Sequence, residues 1–169
     1  LLLDITIVNV ALPSIERDLG ADLSDLQWVV DAYALSLAAL LLTAGSIADG
    51  MGRRRVFIIG LGIFTAASAL CGLASTPLML TLARGLQGIG GAFMFATALA
   101  LLATAYQGAD RGTALGVWGA TTGAAVAVGP LVGGVLVQAI GWQAIFFVNV
   151  PIGIGAIALT LMRVAESRD

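Results

Sequence analysis

Long apolar stretches alternate with short polar breaks along the whole chain. They run from Leu1 to about Ile15, Leu26 to Ile47, Val56 to Ala74, Pro77 to about Tyr106, about Thr113 to Ile140, and Trp142 to about Val164. Segregation at the helical period is weak in most of them, as for helices surrounded by lipid or by other helices. The breaks carry turn chemistry: Asp18-Leu19-Gly20, Asp49-Gly50, Gly52, Gly108 and Gly141. Ser24, with Gln27 three residues on, is expected to cap the second span, and Pro77 suits the first turn of the fourth. The pattern predicts an all-α membrane protein of six transmembrane helices with no strands. A helix from Leu1 to Pro13 would rise only about 20 Å against a hydrocarbon core of roughly 30 Å. The first helix is therefore expected to be truncated.

Composition agrees with a membrane class. Of 169 residues, 59% are hydrophobic and 11% charged, with a mean hydropathy of +1.01; a soluble domain carries about 25% charged residues. The net charge of -2 offers no basic stripe, so no nucleic-acid partner is expected. The single cysteine, Cys71, excludes an internal disulfide and reads as a small lipid- or helix-facing filler. With no histidine and no acidic or cysteine cluster at metal spacing, no metal site is expected. No signal peptide is recognisable. No nucleophile–base set or phosphate loop points to an enzyme.

Arginine placement sets an expected orientation. All basic residues are arginines. Arg53, Arg54, Arg55, Arg111, Arg163 and Arg168 follow even-numbered spans; Arg17 alone follows an odd one, beside Glu16, Asp18, Asp22 and Asp25; Arg84 lies within a span. The even-numbered breaks, and both ends of the chain, are thus expected to be cytoplasmic.

Charges within spans are the candidate chemistry. Asp4 and Asp31 lie in or near the bilayer, where low dielectric favours the neutral form of a carboxylic acid, a property suited to carrying a proton. Asp31 is expected about one turn inside the second helix, on one face with Asp49, as a second proton carrier or a charge for cations. Arg84 is about 10 Å into the fourth helix counted from Pro77, and a membrane arginine needs a wet cavity or a partner. Arg84, Gln87, Gly88 and Gly91 share one helix face. In the fifth span Pro130 has no N–H for the carbonyl of Val126 and is expected to kink the helix, while Gly129 and Gly133 form a small-xxx-small surface. Trp28 and Trp142 read as interfacial belt residues at outer helix ends, and Trp118 lies near the start of the fifth span.

Six strings resemble the major facilitator superfamily. Gly45-Ser46-Ile47-Ala48-Asp49-Gly50-Met51-Gly52-Arg53-Arg54-Arg55 is similar to its signature between helices 2 and 3, Gly-x-Leu-Ala-Asp-Arg-x-Gly-Arg-Arg, with Ile47 for Leu and Gly50 for Arg. Gly50 removes one member of the family's cytoplasmic charge network, in a loop that resemblance makes a cytoplasmic gate. Arg84-Gly85-Leu86-Gln87-Gly88 resembles the helix 4 motif associated with proton coupling, and Gly129-Pro130-Leu131-Val132-Gly133-Gly134 the helix 5 antiporter motif. Leu3-Asp4-Ile5-Thr6-Ile7-Val8-Asn9-Val10-Ala11-Leu12-Pro13 looks like helix 1 of the fourteen-span EmrB/QacA-like drug:proton antiporters. Gln27-Trp28-Val29-Val30 with Ala32-Tyr33, and Trp142 through Phe146-Phe147-Val148-Asn149-Val150-Pro151-Ile152-Gly153, are similar to helix 2 and the opening of helix 6 of that subfamily.

The resemblance spans all 169 residues and implies one unit, 1–169: the N-terminal six-helix half of a facilitator bundle, built from two inverted three-helix repeats, whose C-terminal helices are missing. It implies antiport in the plasma membrane, bacterial inner membrane in particular. Protons enter and lipophilic or cationic compounds leave, with no cofactor beyond the proton motive force. A transporter of one metabolite and a non-transporting membrane interaction module are the alternatives.

Overall fold

The structure is a computed structural model and describes residues 1–165; Arg168, one of the arginines used for orientation, lies outside the described residues. The described chain forms α1 (Leu2–Leu19), α2 (Leu23–Met51), α3 (Arg53–Gly72), α4 (Pro77–Ala105), α5 (Gly108–Ala139), α6 (Ala144–Phe147) and α7 (Asn149–Arg163). Five helices are long and apolar enough to cross a membrane, α6 and α7 counting as one, and α1 is the sixth span. The all-α, six-span fold is as the pattern predicted.

Several boundaries differ, each for a local reason. Pro13 does not close α1; the helix runs on through residues 16–19 and stops at Gly20, whose φ of 63° lets its N–H reach Glu16 O. Its 18 residues rise about 27 Å, so the expected shortfall against the bilayer is largely made up at this end. Ser24 is not the cap of α2. Asp22 is, accepting from Asp25 N at 2.8 Å while Asp25 Oδ2 accepts from Asp22 N at 3.1 Å. An aspartate at the third position thus closes the capping box that Gln27 was expected to close. Because α2 starts at Leu23, Asp31 sits more than two turns inside it rather than one.

Only Gly52, at φ 105°, separates α2 from α3, so Arg53, Arg54 and Arg55 form the first turn of a helix and not a loop. The fifth helix starts at Gly108, earlier than Thr113, and passes uninterrupted through Pro130. The sixth span is broken at Val148. Pro151 has no N–H for the carbonyl of Phe147, and its ring crowds that carbonyl. Pro77 occupies the first turn of α4, with Thr76 Oγ1 accepting from Met79 N.

Helix α4 is the hub, packed along α2 and α3; α1 packs on α5, and α3 on α7. Glycine makes these contacts close. A Cβ on Gly60 would lie 2.9 Å from Gly90 O, and one on Gly90 would lie 2.8 Å from Gly60 O, so α3 and α4 touch backbone to backbone. Gly88 of α4 meets the Tyr33 carbonyl and Ser36 Oγ of α2, and Gly153 of α7 meets Thr65 of α3. The largest buried side chains include Trp142, Arg84, Phe146 and Gln87. Trp142 is therefore a core residue, edge-on to Phe146 with centroids 6.2 Å apart, and not a belt residue. Trp28 is exposed.

Candidate functional site

Five of the helices send polar groups to one point in the buried interior. Asp4 of α1 and Arg84 of α4, each 1% exposed, form an ion pair, Arg84 Nη1 donating to Asp4 Oδ2 at 2.6 Å. Arg84 Nη1 also donates to Gln87 Oε1 at 2.7 Å, one turn along α4, and Arg84 Nε to the Val29 carbonyl of α2 at 3.1 Å. Gln87 Nε2 donates to Asp4 Oδ1 at 3.0 Å and to Ser68 Oγ of α3 at 2.8 Å. Asn149 Nδ2, at the head of α7, donates to the same Asp4 Oδ1 at 3.0 Å and lies 3.4 Å from Ser68 Oγ. The Tyr33 ring covers the guanidinium at 4.3 Å, and the Phe146 ring lies 5.9 Å from it.

The arrangement follows from burial. A charge removed from water is tolerated only when paired and hydrogen-bonded. Asp4 accepts three hydrogen bonds, from three side chains on two helices. The guanidinium uses three donor contacts and lies between aromatic rings, where its face is attracted by their quadrupoles. Such a network is cooperative, and removing one member exposes the others. The i, i+3 spacing of Arg84 and Gln87 puts both on the α4 face that meets α1 and α3. Gly88 and Gly91, on that face, do not touch the pair; they let α2 approach, and Gly91 sits beside the Tyr33 hydroxyl. Cys71 is no mere filler: its buried thiol points at Gln87 Oε1, 3.6 Å away.

The other candidates lie elsewhere. The Asp31 side chain makes no hydrogen bond or ion pair among the described residues and does not join the pair. At the far end of α2, Asp49 accepts from Arg53 at 3.0 Å across the Gly52 turn, and Arg54 Nη2 donates to the Leu161 carbonyl of α7 at 2.7 Å. The Gly52 turn thereby ties α2, α3 and α7 together; Gly45 has open space around it. Gly129 and Gly133 press on Thr6 and Ile7 of α1, the helix of Asp4, whereas Gly134 faces open space, and Pro130 is exposed. Among the described residues no three His, Cys, Asp or Glu residues lie together.

Ser68 and Asn149 were not singled out as site residues in the sequence. Each is a polar residue in an apolar run, which in a membrane is itself a signal of function.

Comparison with known proteins shows the family of the chain. Residues 1–169 match the family model described as Major Facilitator Superfamily. The chain is 42% identical to the tetracenomycin C resistance and export protein of Streptomyces glaucescens, over 98% of this chain and 31% of that protein. It is 45% identical to the multidrug resistance protein Stp of Mycobacterium tuberculosis (98% and 31%). It is 46% identical to a methylenomycin A resistance protein of Bacillus subtilis (92% and 34%). The chain thus spans about a third of the length of these relatives. A crystal structure of tetrameric PepTSo2 shares the fold, with a TM-score of 0.68 at 20% identity over 95% of this chain and 40% of that one. The chain is a membrane protein and belongs to the major facilitator superfamily.

Proposed function

We propose that the intact protein exports lipophilic or cationic toxic compounds in exchange for protons, and that residues 1–169 form its N-terminal six-helix bundle. The observation that carries this reading is the buried Asp4–Arg84 pair, held by side chains of α1, α3, α4 and α7 and a carbonyl of α2. A passive anchor has no use for an ion pair that must be desolvated. The names of the relatives, which speak of drug resistance and export, support the substrate class. The protein carries no enzyme activity in this reading, and its energy source is the proton motive force.

Protonation of Asp4 neutralises the partner of Arg84 at once. The guanidinium keeps Val29 O, Gln87 Oε1 and the Tyr33 ring, but α1 loses its ionic tie to α4. An antiporter needs such a bistable contact, since proton binding must favour one state over the other by a few kcal/mol. Substrate binds between this bundle and the missing C-terminal half, and access alternates by rocking. Both ends of the chain, the Gly52 turn and Arg111 face the cytoplasm, in a bacterial inner membrane.

The test uses the full-length gene in cells lacking their main efflux pumps. Accumulation of a fluorescent lipophilic cation is followed with and without a proton uncoupler. Low accumulation that the uncoupler abolishes, and that Asp4→Asn and Arg84→Ala lose at normal membrane levels, supports the proposal. Efflux that survives both substitutions rejects proton coupling through this pair.

A further inference from the structure

A cleft of about 180 Å³ runs between α1 and α2, lined by Ile5 and Val8 on one side and Val30, Ala34 and Leu37 on the other, and it ends on Tyr33 and Arg84. Two polar groups at that end have no protein partner. The Tyr33 hydroxyl is buried and accepts and donates nothing, although the residue is only 2% exposed. It lies beside Gly91 and Leu37, and Leu37 also lines the cleft. Arg84 uses Nε and Nη1 for its bonds to Val29, Asp4 and Gln87, and both N–H groups of Nη2 are left over among the described residues. A buried hydroxyl such as that of Tyr33 is satisfied by ordered water when the site has room, one water needing about 30 Å³. The cleft has room for several.

We infer that this cleft is a hydrated passage that carries protons to the Asp4–Arg84 pair, with Arg84 Nη2 and the Tyr33 hydroxyl as its inner anchors; the inference rests on the proton-coupling reading above. The elements around the pair otherwise wall it off. Asp4 has its oxygens against Arg84, Gln87 and Asn149, Phe146 lies on one side, and Trp142 and Ile145 are fully buried behind. The titratable side chains facing the pair are Tyr33 from α2 and Cys71 from α3, and α5, α6 and α7 present none among the described residues. A proton leaves a hydronium in the cleft and binds Asp4 Oδ2 as Arg84 Nη1 gives up its bond to that oxygen; the hydronium becomes water, the carboxylate becomes a carboxylic acid, and no other reactant is needed. Aliphatic walls hold such water weakly and leave the polar end of the cleft as its anchor.

The experiment uses purified full-length transporter in detergent and reads proton release from a soluble pH dye when a lipophilic cation is added. Ala34, exposed at the cleft mouth, is replaced by cysteine, and the folded protein is then treated with a methyl or a benzyl thiosulfonate; wild type treated alike controls for other thiols. The benzyl adduct, which plugs the cleft, is expected to slow proton release by about tenfold or more, with the methyl adduct near wild type and the equilibrium affinity for the cation unchanged. Tyr33→Phe, which keeps the ring over Arg84, is expected to slow release in the same direction. Release that keeps its rate with the benzyl adduct, while Asp4→Asn abolishes it, overturns the cleft and leaves the proton site standing. A loss of affinity without a loss of rate overturns it in favour of a drug-contact surface. Release that persists in Asp4→Asn overturns the coupling reading and the cleft with it.

Discussion

Asp4 and Arg84 stand 80 positions apart in the chain and 2.6 Å apart in the bundle, on the first and fourth spans. Each is unusable without the other in a medium where a lone charge costs several kcal/mol. That mutual dependence gives a measurable asymmetry. Arg84→Ala leaves a carboxylate with only Gln87 and Asn149 and is expected to cost about 3–5 kcal/mol. The double variant Asp4→Asn with Arg84→Gln removes both charges and keeps polar groups in reach, so it is expected to be the more stable of the two while lacking proton-coupled transport. Thermal unfolding of the purified full-length protein in detergent checks the order; a double variant less stable than Arg84→Ala contradicts the argument.

Two glycines of α4, three residues apart, predict opposite outcomes. A Cβ on Gly88 runs into the Tyr33 carbonyl and Ser36 Oγ, while one on Gly85 meets nothing within 4 Å. The obstacle at Gly88 is backbone, which cannot swing aside, so Gly88→Ala is expected to destabilise by about 1–3 kcal/mol. Gly85→Ala is expected to be neutral or to stabilise by up to about 1 kcal/mol through helix propensity. Because Gly88 also fixes how close Tyr33 comes to Arg84, its variant is expected to reduce uncoupler-sensitive efflux; Gly85→Ala is not.

The start of α2 offers a test of capping chemistry away from the site. Asp22→Ala removes an acceptor for Asp25 N and is expected to cost about 1 kcal/mol. Ser24→Ala, at a position that carries no cap, is expected to stay within about 0.5 kcal/mol. Unfolding of the two variants side by side decides it, and equal losses would argue against the assigned cap.

The six spans and Pro77 were legible because apolar run length and proline placement are local properties. So was the shared face of Arg84 and Gln87, which follows from helical spacing alone. Asp4 was legible as a charge in an apolar run with Arg84 expected near it in the bundle, but the direct ion pair and the hydrogen bonds from Gln87 and Asn149 were not, because nothing local says which side chains will lie opposite. Ser68 and Asn149 escaped for the same reason: a serine or asparagine in an apolar run hints at a site, but only the packed helices show that Asn149 reaches Asp4 and that Ser68 meets Gln87 and Asn149. The errors at helix ends came from competition between equally good local signals. Asp22 and Ser24 are both capping residues, and only the path of the chain from Gly20 selects the first. Trp142 was misplaced because an amphipathic ring at a helix end fits an interface or a core, and the packing of Phe146 against it decides.

The helix 5 string separates in the structure into parts that touch α1 and parts that do not, and this yields the last prediction. Gly133 lies against Ile7, so that a Cβ there would come within 2.8 Å of its Cγ1 and 3.2 Å of its carbonyl oxygen; Gly129 abuts Thr6 even more closely. Gly134, next in sequence, has nothing within 4 Å. Since α1 carries Asp4, wedging α1 off α5 displaces the carboxylate relative to Arg84 although no polar residue is substituted. Gly133→Val is therefore expected to lower both stability, by about 1–3 kcal/mol, and proton-coupled efflux. Gly134→Val leaves the described bundle undisturbed, and its expected stability change is within about 0.5 kcal/mol. If Gly134→Val nevertheless abolishes efflux at normal membrane levels and unchanged unfolding temperature, that glycine acts on a surface outside residues 1–165, and the α1–α5 contact is not what gives the string its role. If Gly133→Val alone fails, the string serves this protein by holding the helix of Asp4 in register with Arg84.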